Sequence, residues 1–279
     1  MTPASKQATL PADNGEGDDM KDPFISVTGV TTHRQAMDLL QVFRGEGGDE
    51  IQQMLAVGVM TGRKVLTGLP SEWSLVWPEP KDIAGIFLNH PDIFNVLHYV
   101  DYTNTHVLVN LNRARQVGGR YMDAIQLDMC WPDPTSLFTF KRISGDIKVI
   151  LQVGRKAFDE VGNDPARLAT RLTQYIDSVG YILLDRSMGK GLPMDAEDLV
   201  RFIRTIKALA PMFELVVAGG LGPYTMDLVE PLVELYPDIS IDAQGQLCYD
   251  GDARRSLSEP RVLRYLEKAV AMFRKHQGR

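Results

Sequence analysis

The stretch Leu215–Pro223, which reads Leu-Val-Val-Ala-Gly-Gly-Leu-Gly-Pro, decides the fold. Its apolar run is typical of a buried strand, and the glycines that end it are typical of a tight turn. A helix pattern follows from Tyr224. The same shape recurs at Ile239–Gly245, where Ile-Ser-Ile-Asp-Ala-Gln precedes the glycine. Two such units in succession are typical of parallel strands that are joined by helices.

Glycine at the end of such a strand also has a chemical consequence. Without a side chain in the way, backbone N–H groups are accessible at the strand end, and a helix that begins there adds the positive end of its dipole. This combination binds anions, most often phosphate. The turns at Gly219, Gly220 and Gly245 are therefore either a phosphate site or only tight turns between strand and helix.

The rest of the chain repeats the alternation of strand and helix. Six earlier strands are predicted, over Phe24–Val30, Met54–Met60, Val96–Tyr102, Ala124–Met129, Ile147–Val153 and Tyr181–Asp185. The first predicted helix is capped by Thr31 or Thr32 and runs through Phe43. Further helices are predicted over Asp82–Leu88, Asn104–Val117 and Leu137–Ile143, then to Ser178 after the capping Asp164 and Pro165, to Leu209 after the capping Asp195, and from Ser258. Eight such units predict an α/β fold, a single closed (β/α)8 TIM barrel over residues 23–279 with its site at the C-terminal strand ends.

Composition bounds the class of protein. The chain has 279 residues, which suits one barrel of roughly 250 residues. A net charge of -6 argues against broad nucleic-acid binding. Cys130 and Cys248 have neither metal-ligand spacing nor the number that a disulfide framework needs. We therefore expect neither a metal nor a cofactor, and a phosphorylated small molecule as the ligand.

The N-terminal residues 1–22 are polar and include Asn-Gly-Glu-Gly-Asp-Asp at Asn14–Asp19. This composition predicts a disordered leader ahead of the barrel. The sequence shows no secretory signal pattern and no apolar run of the roughly 20 residues that a membrane span needs. We expect a cytoplasmic monomer or homodimer that binds no membrane.

Candidate site residues follow from the strand ends. Asp185 ends a buried strand, where a carboxylate is costly unless it is paired or used. It therefore either pairs with an arginine or acts as a general acid or base. Gln126, Asp128 and Cys130 share one face of the fourth strand, so Asp128 is a candidate partner of Asp185 and Gln126 a candidate substrate ligand. Arg63 follows the second strand and is either a solvated side chain or a substrate ligand.

Cys130 and His98 each have a structural and a chemical interpretation. Cys130 is either a small buried residue or a thiolate base. His98, a lone candidate for the metal-ligand histidines of an epimerase, is either that or a hydrogen-bonded core histidine. Lys148 and Lys190 are the nearest candidates for the buried lysine that an aldolase would need.

Six segments match one family in the correct order. They are Ser26–Thr31, Ile125–Met129, Leu183–Asp185, Gly189–Lys190, Gly219–Leu221 and Asp242–Gly245. On these segments the chain resembles phosphoribosylanthranilate isomerase, a barrel enzyme of tryptophan biosynthesis that performs an Amadori rearrangement. The resemblance is remote and runs over roughly residues 24 to 256.

The resemblance implies a role for each matching residue. Asp185 would be the general acid that protonates the ribose ring oxygen. Arg63 would meet the anthranilate carboxylate, and Gln126 would line the pocket. The phosphate would be cradled by backbone N–H groups of the two glycine turns, Gly219, Gly220, Gln244 and Gly245, with Asp242 at the start of the second turn.

Two departures from the family concern the base. The family's general base is a cysteine in the first strand, where this chain has Thr28, and a family histidine is replaced by Asp128. The family reaction would then need Asp128 or Cys130 as its base. Three functions follow: an intramolecular oxidoreductase-type isomerase or a diverged relative, a non-catalytic or regulatory barrel that binds a phosphorylated ligand, and a different phosphate-handling enzyme such as an aldolase or epimerase.

Overall fold

Eight parallel strands form the closed barrel that the sequence predicts. The computed structural model describes residues 23–185 and 194–278. The strands are β1 Phe24–Thr28, β2 Met54–Gly62, β3 Ile93–Val100, β4 Ala124–Asp128, β5 Lys148–Val153, β6 Tyr181–Asp185, β7 Glu214–Ala218 and β8 Ser240–Ala243. Each strand pairs with its neighbour in sequence, and β8 pairs with β1 to close the sheet. The (β/α)8 fold is thereby confirmed.

Helices surround this sheet. They are α1 His33–Gly45, α2 Arg63–Leu66, α3 Pro80–Ile83, α4 Val107–Gly118, α5 Pro134–Ser144, α6 Arg155–Glu160, α7 Pro165–Leu172, α8 Ala196–Leu209, α9 Glu230–Leu235 and α10 Glu259–His276. None of the helices within the described ranges combines the length and the apolar character that crossing a membrane requires. The predicted leader and Gly189–Lys190 lie outside the described residues.

Side-chain caps fix three helix starts where the sequence predicts them. Thr32 accepts a hydrogen bond from the backbone N–H of Gln35 at the start of α1. Asp164 caps α7 ahead of a proline at its first position, and Asp195 caps α8 by accepting from the N–H of Asp198. These oxygens satisfy N–H groups that have no partner within the helix.

Several predicted boundaries are wrong. The helix expected from Tyr224 begins only at Glu230 and is a six-residue helix, preceded by a 3₁₀ turn. The third strand begins at Ile93, earlier than predicted, and ends at Val100. Helix α7 gives way to a 3₁₀ turn after Leu172, and α6 was not predicted. Proline at the second position of α9 favours a helix start there, and apolar periodicity does not report such boundaries.

The barrel interior is layered along its axis. At the N-terminal end the rings of Phe24, Phe94 and Tyr181 contact one another, with centroids 5.4 to 5.9 Å apart. Above them lies an apolar layer made of Ala56, Val96, Ala124, Ile150, Leu183 and Val216. The next inward positions, nearest the C-terminal ends, are mostly polar. A filled interior of this kind leaves the C-terminal rim as the place for chemistry.

Close approach of β1 and β2 requires glycine at position 58. A Cβ placed there would lie 2.3 Å from the Thr28 hydroxyl and 2.8 Å from the Thr28 Cα. The nearer atom is part of a buried side chain and the other is backbone, so neither moves aside freely.

We predict that Gly58→Ala lowers the free energy of unfolding by about 1–3 kcal/mol, the range typical of overpacked cores. Urea unfolding followed by circular dichroism measures it. Gly45→Ala is the control, because a Cβ at that helical position meets nothing within 4 Å. Equal stability of the two variants would contradict the tight contact between β1 and β2.

Candidate functional site

A set of polar side chains lies inside the C-terminal end of the barrel, where alternation along the strands directs them inward. They are Ser26, Thr28, His98, Gln126, Gln152, Asp185 and Asp242. All but Gln152 are buried. Buried polar groups are stable only when hydrogen-bonded, and hydrogen-bond contacts join these residues into one network.

The network begins where the barrel closes. Thr28 on β1 donates its hydroxyl proton to Oδ1 of Asp242 on β8, at 2.8 Å. The Ser26 and Thr28 hydroxyls are 3.2 Å apart. Thr28 therefore holds Asp242 in place. The resemblance puts Thr28 at the position of the family's catalytic cysteine, but a threonine hydroxyl is far too weakly acidic to serve as a base unaided, so its role here is positioning.

Gln126 connects the two sides of the barrel. Its amide nitrogen lies 3.3 Å from Oδ2 of Asp242, 3.3 Å from Oε1 of Gln152 and 3.4 Å from Nδ1 of His98. The amide has two protons for three acceptors, so these contacts are shared. Gln152 in turn donates to Oδ2 of Asp185 at 3.3 Å. A continuous chain of contacts thus runs from Asp242 to Asp185.

His98 has one nitrogen engaged and one without a partner. Because the Gln126 amide donates to Nδ1, the neutral ring carries its proton on Nε2. That Nε2 is buried and has no hydrogen-bond partner within the described residues. His98 is therefore not a fully hydrogen-bonded core histidine. An unpaired buried N–H is unfavourable, so His98 is ready to donate to a bound oxygen.

A small cleft opens above this network. Its volume is about 70 Å³, which is the space of two or three water molecules at roughly 30 Å³ each. It is lined by His98, Gln152, Leu183, Asp185, Ala218, Gly219, Gly220, Leu221, Asp242, Gln244, Gly245, Gln246, Gly251 and Ala253. The bulk of any substrate would lie over the cleft, with one small group inside it.

Glycine is required at the turn after β7. Gly219 and Gly220 have φ values of 112° and 67°, in the region that side chains disfavour. Both line the cleft together with Gly245. No α-helix begins at this turn, since α9 starts at Glu230. The expected contribution of a helix dipole is therefore absent after β7, and after β8 only a 3₁₀ turn, Gly245–Leu247, follows directly.

Asp128 lies outside the lining of this cleft. Its Oδ2 accepts a 2.6 Å hydrogen bond from the Tyr102 hydroxyl. Desolvation of the hydroxyl raises the pKa of Tyr102 far above its usual value, and the charges of Asp128 and Asp185 add to the effect. Both carboxylates thus lie near one phenol.

Arg63 occupies a second cleft of about 210 Å³ at the same end of the barrel. Its Nε lies 3.5 Å from Oδ1 of the buried Asp101. The cleft is also lined by Trp73 and Trp77, whose rings stack with centroids 5.1 Å apart. The long segment after β2 therefore forms an aromatic wall. Arg63 is brought near the rim but not into the glycine-lined cleft.

The two cysteines are poorly suited to act as bases. Burial and the neighbouring Glu160, whose Oε1 lies 3.5 Å from the Cys130 sulfur, raise the pKa of Cys130 to about 11. Burial likewise raises the pKa of Cys248 to about 11. Both thiols stay protonated at neutral pH. Within the part of the chain that the structure describes, no group of histidine, cysteine and carboxylate side chains could hold a metal ion.

Sequence reasoning missed Gln152 and Tyr102. Gln152 shares a face of β5 with Ile150 and Lys148, and two-residue alternation from a C-terminal strand end could have found it. Tyr102 follows the end of β3 and carried no pattern of its own. Lys148, considered for aldolase chemistry, begins β5 and lies at the opposite end of the barrel. Lys190 lies outside the described residues.

Comparison with known proteins agrees with the fold and goes no further. No protein-family model matches the chain, and no curated protein matches it. Among solved structures, it is similar to active domain 2 of a chitinase from Pyrococcus furiosus, with TM-score 0.54 and 9% identity, over 92% of this chain and 98% of that one.

Two longer chains match over part of their own length. Pyruvate carboxylase from Rhizobium etli matches with TM-score 0.50 and 10% identity, over 92% of this chain and 25% of that one. A Rubisco from Pyrococcus horikoshii matches with TM-score 0.48 and 12% identity, over 84% of this chain. The match spans 57% of the Rubisco chain. At such identities the likeness concerns the fold alone.

We predict that Cys130 reacts slowly with iodoacetamide at pH 8. With a pKa of about 11, the thiolate fraction is far below that of an ordinary cysteine, and the greater nucleophilicity of a basic thiolate offsets part of the loss. The expected rate is roughly 20-fold below that of an unperturbed thiol. The rate should rise about tenfold per pH unit up to the pKa, because the thiolate is the reactive form.

Mass spectrometry of the Cys248→Ser variant measures this rate for Cys130 alone. The same variant unfolded in urea is the control, since its thiol is solvated. Equal rates for folded and unfolded protein at pH 8 would show that Cys130 is an ordinary thiol.

Proposed function

We propose that this barrel is a general acid–base enzyme, an isomerase of phosphoribosylanthranilate isomerase type that acts on a phosphorylated sugar derivative. The observation that carries the proposal is the buried Asp185 carboxylate, which Gln152 contacts in a cleft bordered by glycine turns. A buried carboxylate at a C-terminal strand end is placed where barrel enzymes carry their reactive groups.

Asp185 is the proposed acid. It gives a proton to the ribose ring oxygen as the C1–O bond breaks, and the lone pair of the substrate nitrogen forms a C1=N bond as the ring opens. A base then removes the C2 proton, the electron pair of the C–H bond forms a C1=C2 double bond, and the electron pair of the C1=N bond returns to nitrogen. Asp128 is the proposed base, since both cysteines are protonated at neutral pH. Each such group contributes on the order of 10² to 10⁴ to the rate.

The remaining residues would bind and orient the substrate. Gly219, Gly220, Gln244 and Gly245 border the cleft and would meet the phosphate through backbone N–H groups. Gln126 fixes Gln152 and His98, and the unpartnered Nε2–H of His98 would donate to a sugar oxygen. Arg63 would meet a carboxylate at the far end of the substrate, in competition with Asp101.

A second candidate function is a barrel that binds such a ligand without turnover. The specific observation in its favour is Thr28, which stands where the related family has its basic cysteine and donates its proton to Asp242. Aldolase chemistry is disfavoured, since Lys148 lies at the other end of the barrel. The described residues contain no cluster of metal ligands that a metal-dependent epimerase would need.

We predict that Asp185→Asn lowers turnover of freshly prepared phosphoribosylanthranilate at least a hundredfold, because asparagine keeps the shape but has no proton to give. A coupled assay with excess indole-glycerol-phosphate synthase measures it. Asp177→Asn, an exposed aspartate ahead of the same strand, is the control and should keep wild-type turnover. Asp128→Asn should lose turnover to a similar extent.

Unchanged turnover in Asp185→Asn would remove this carboxylate from the mechanism. No turnover by the wild-type protein, together with a melting temperature that ribose 5-phosphate raises, would favour the binding barrel instead. Neither turnover nor a shift in melting temperature would contradict both candidates.

A further inference from the structure

A larger cleft lies at the opposite, N-terminal end of the barrel. Its volume is about 740 Å³, within the range of roughly 300–1,000 Å³ that is typical of small-molecule sites. The first residues of β2, β3, β5 and β6 border it, together with the segments that lead from α4 into β4 and from α5 into β5. Neither proposed catalytic residue is near it.

The two clefts are separated by packed apolar side chains. Tyr181 lines the lower cleft and Asp185 the upper one, on the same strand. Four residues of strand correspond to about 13 Å. Between them lies Leu183, fully buried in the apolar layer of the barrel interior. A ligand in the lower cleft would therefore not touch the upper one.

The walls of this lower cleft are both apolar and charged. Met54, Phe94 and Tyr181 form an apolar floor that continues the aromatic contact inside the barrel. The charged lining residues are Arg115, Arg120, Lys148, Asp123 and Asp146. Cations thus outnumber acids by three to two. A ligand that suits such a cleft has an apolar body and a negative group.

The acidic side chains do not neutralise the arginines. Oδ2 of Asp123 accepts hydrogen bonds from the Asn95 backbone at 2.7 Å and from its amide at 3.2 Å. Burial raises the pKa of Asp123, against the lowering effect of these two hydrogen bonds. Asp146 is exposed, so solvent screens it. Neither makes an ion pair with Arg115 or Arg120 in the described part of the chain.

Arg115 has a nitrogen without a hydrogen-bond partner in the part of the chain that the structure describes. Its Nε is buried, and no acceptor among the described residues bonds to it. Arg120, by contrast, donates to the Tyr121 hydroxyl at 2.6 Å and lies 4.5 Å from the centre of that ring. A buried guanidinium N–H without an acceptor is unfavourable. Turning the Arg115 guanidinium toward the cleft therefore breaks no hydrogen bond at Nε and would gain two to a carboxylate.

We propose that the lower cleft is a second ligand site, for a small carboxylic acid with an apolar ring or chain. Arg115 binds the carboxylate through Nε and one terminal nitrogen, and Arg120 adds positive charge at the rim. The apolar body lies against Phe94 and Tyr181. The site is independent of the proposed chemistry at the C-terminal end, so either can be wrong without the other.

Sodium benzoate is the probe, titrated by isothermal calorimetry at constant ionic strength. We expect saturable binding to the full-length wild-type protein and binding at least tenfold weaker in Arg115→Gln, because the charged hydrogen-bond pair is lost. Arg113→Gln is the matched control: this exposed arginine lies on the same helix and should leave benzoate affinity unchanged. Asp185→Asn should also leave it unchanged, which separates the two clefts. Acetate should bind more weakly than benzoate, since it lacks the apolar body.

Absence of saturable benzoate binding would overturn the proposal, and so would equal affinity of wild type and Arg115→Gln. If Arg115→Gln does not fold, Arg115→Lys keeps the charge and most of the apolar stem but loses the paired N–H groups. That variant should bind benzoate at least threefold more weakly, and equal binding would likewise overturn the proposal.

Discussion

Closure of the sheet between β8 and β1 is the constraint on which the rest of the structure depends. A parallel sheet has unpaired edges until the last strand meets the first, and closure removes both edges. Here the backbone pairing is reinforced by side chains, since Ser240 accepts from the N–H of Phe24 at 2.9 Å and Asp242 accepts from Thr28 at 2.8 Å. The second of these bonds also fixes the first member of the polar network.

Closure and the candidate site are thus parts of one hydrogen-bonded system. The strand register places Ser26 beside Asp242, and His98 beside Gln126. The polar side chains of this layer must hydrogen-bond to one another because the apolar layer beneath them offers no hydrogen-bond partners. They do so through the amides of Gln126 and Gln152, and the described residues leave His98 Nε2 unpaired. Fully satisfied networks rigidify a core, so the buried, unpaired Nε2 of His98 is where a ligand oxygen would gain most.

Most of the fold could be predicted from the periodicity of the strands and from the helix-capping residues. The apolar runs, the capping residues Thr32, Asp164 and Asp195, and the glycines after β7 and β8 each report local structure directly. Two-residue alternation also placed Gln126 and Asp185 inside the barrel. The prediction of a helix from Tyr224 was wrong because a glycine turn does not determine how many residues separate it from the next helix.

The rest of the site depends on contacts between residues far apart in sequence. Thr28 and Asp242 are 214 positions apart, and nothing local to either residue predicts their hydrogen bond. The same holds for the Tyr102 hydroxyl on Asp128 and for the pairing of Arg63 with Asp101. The resemblance to phosphoribosylanthranilate isomerase supplies proposed roles for Asp185, Arg63 and Gln126, and none for Tyr102 or Asp101.

The most direct test is a crystal structure of the protein soaked with ribose 5-phosphate. The account predicts the phosphate within hydrogen-bond distance of the backbone at Gly219, Gly220 and Gly245, with the sugar above Asp185 and His98. A sugar phosphate bound elsewhere, with the polar network at the C-terminal end untouched, would contradict it.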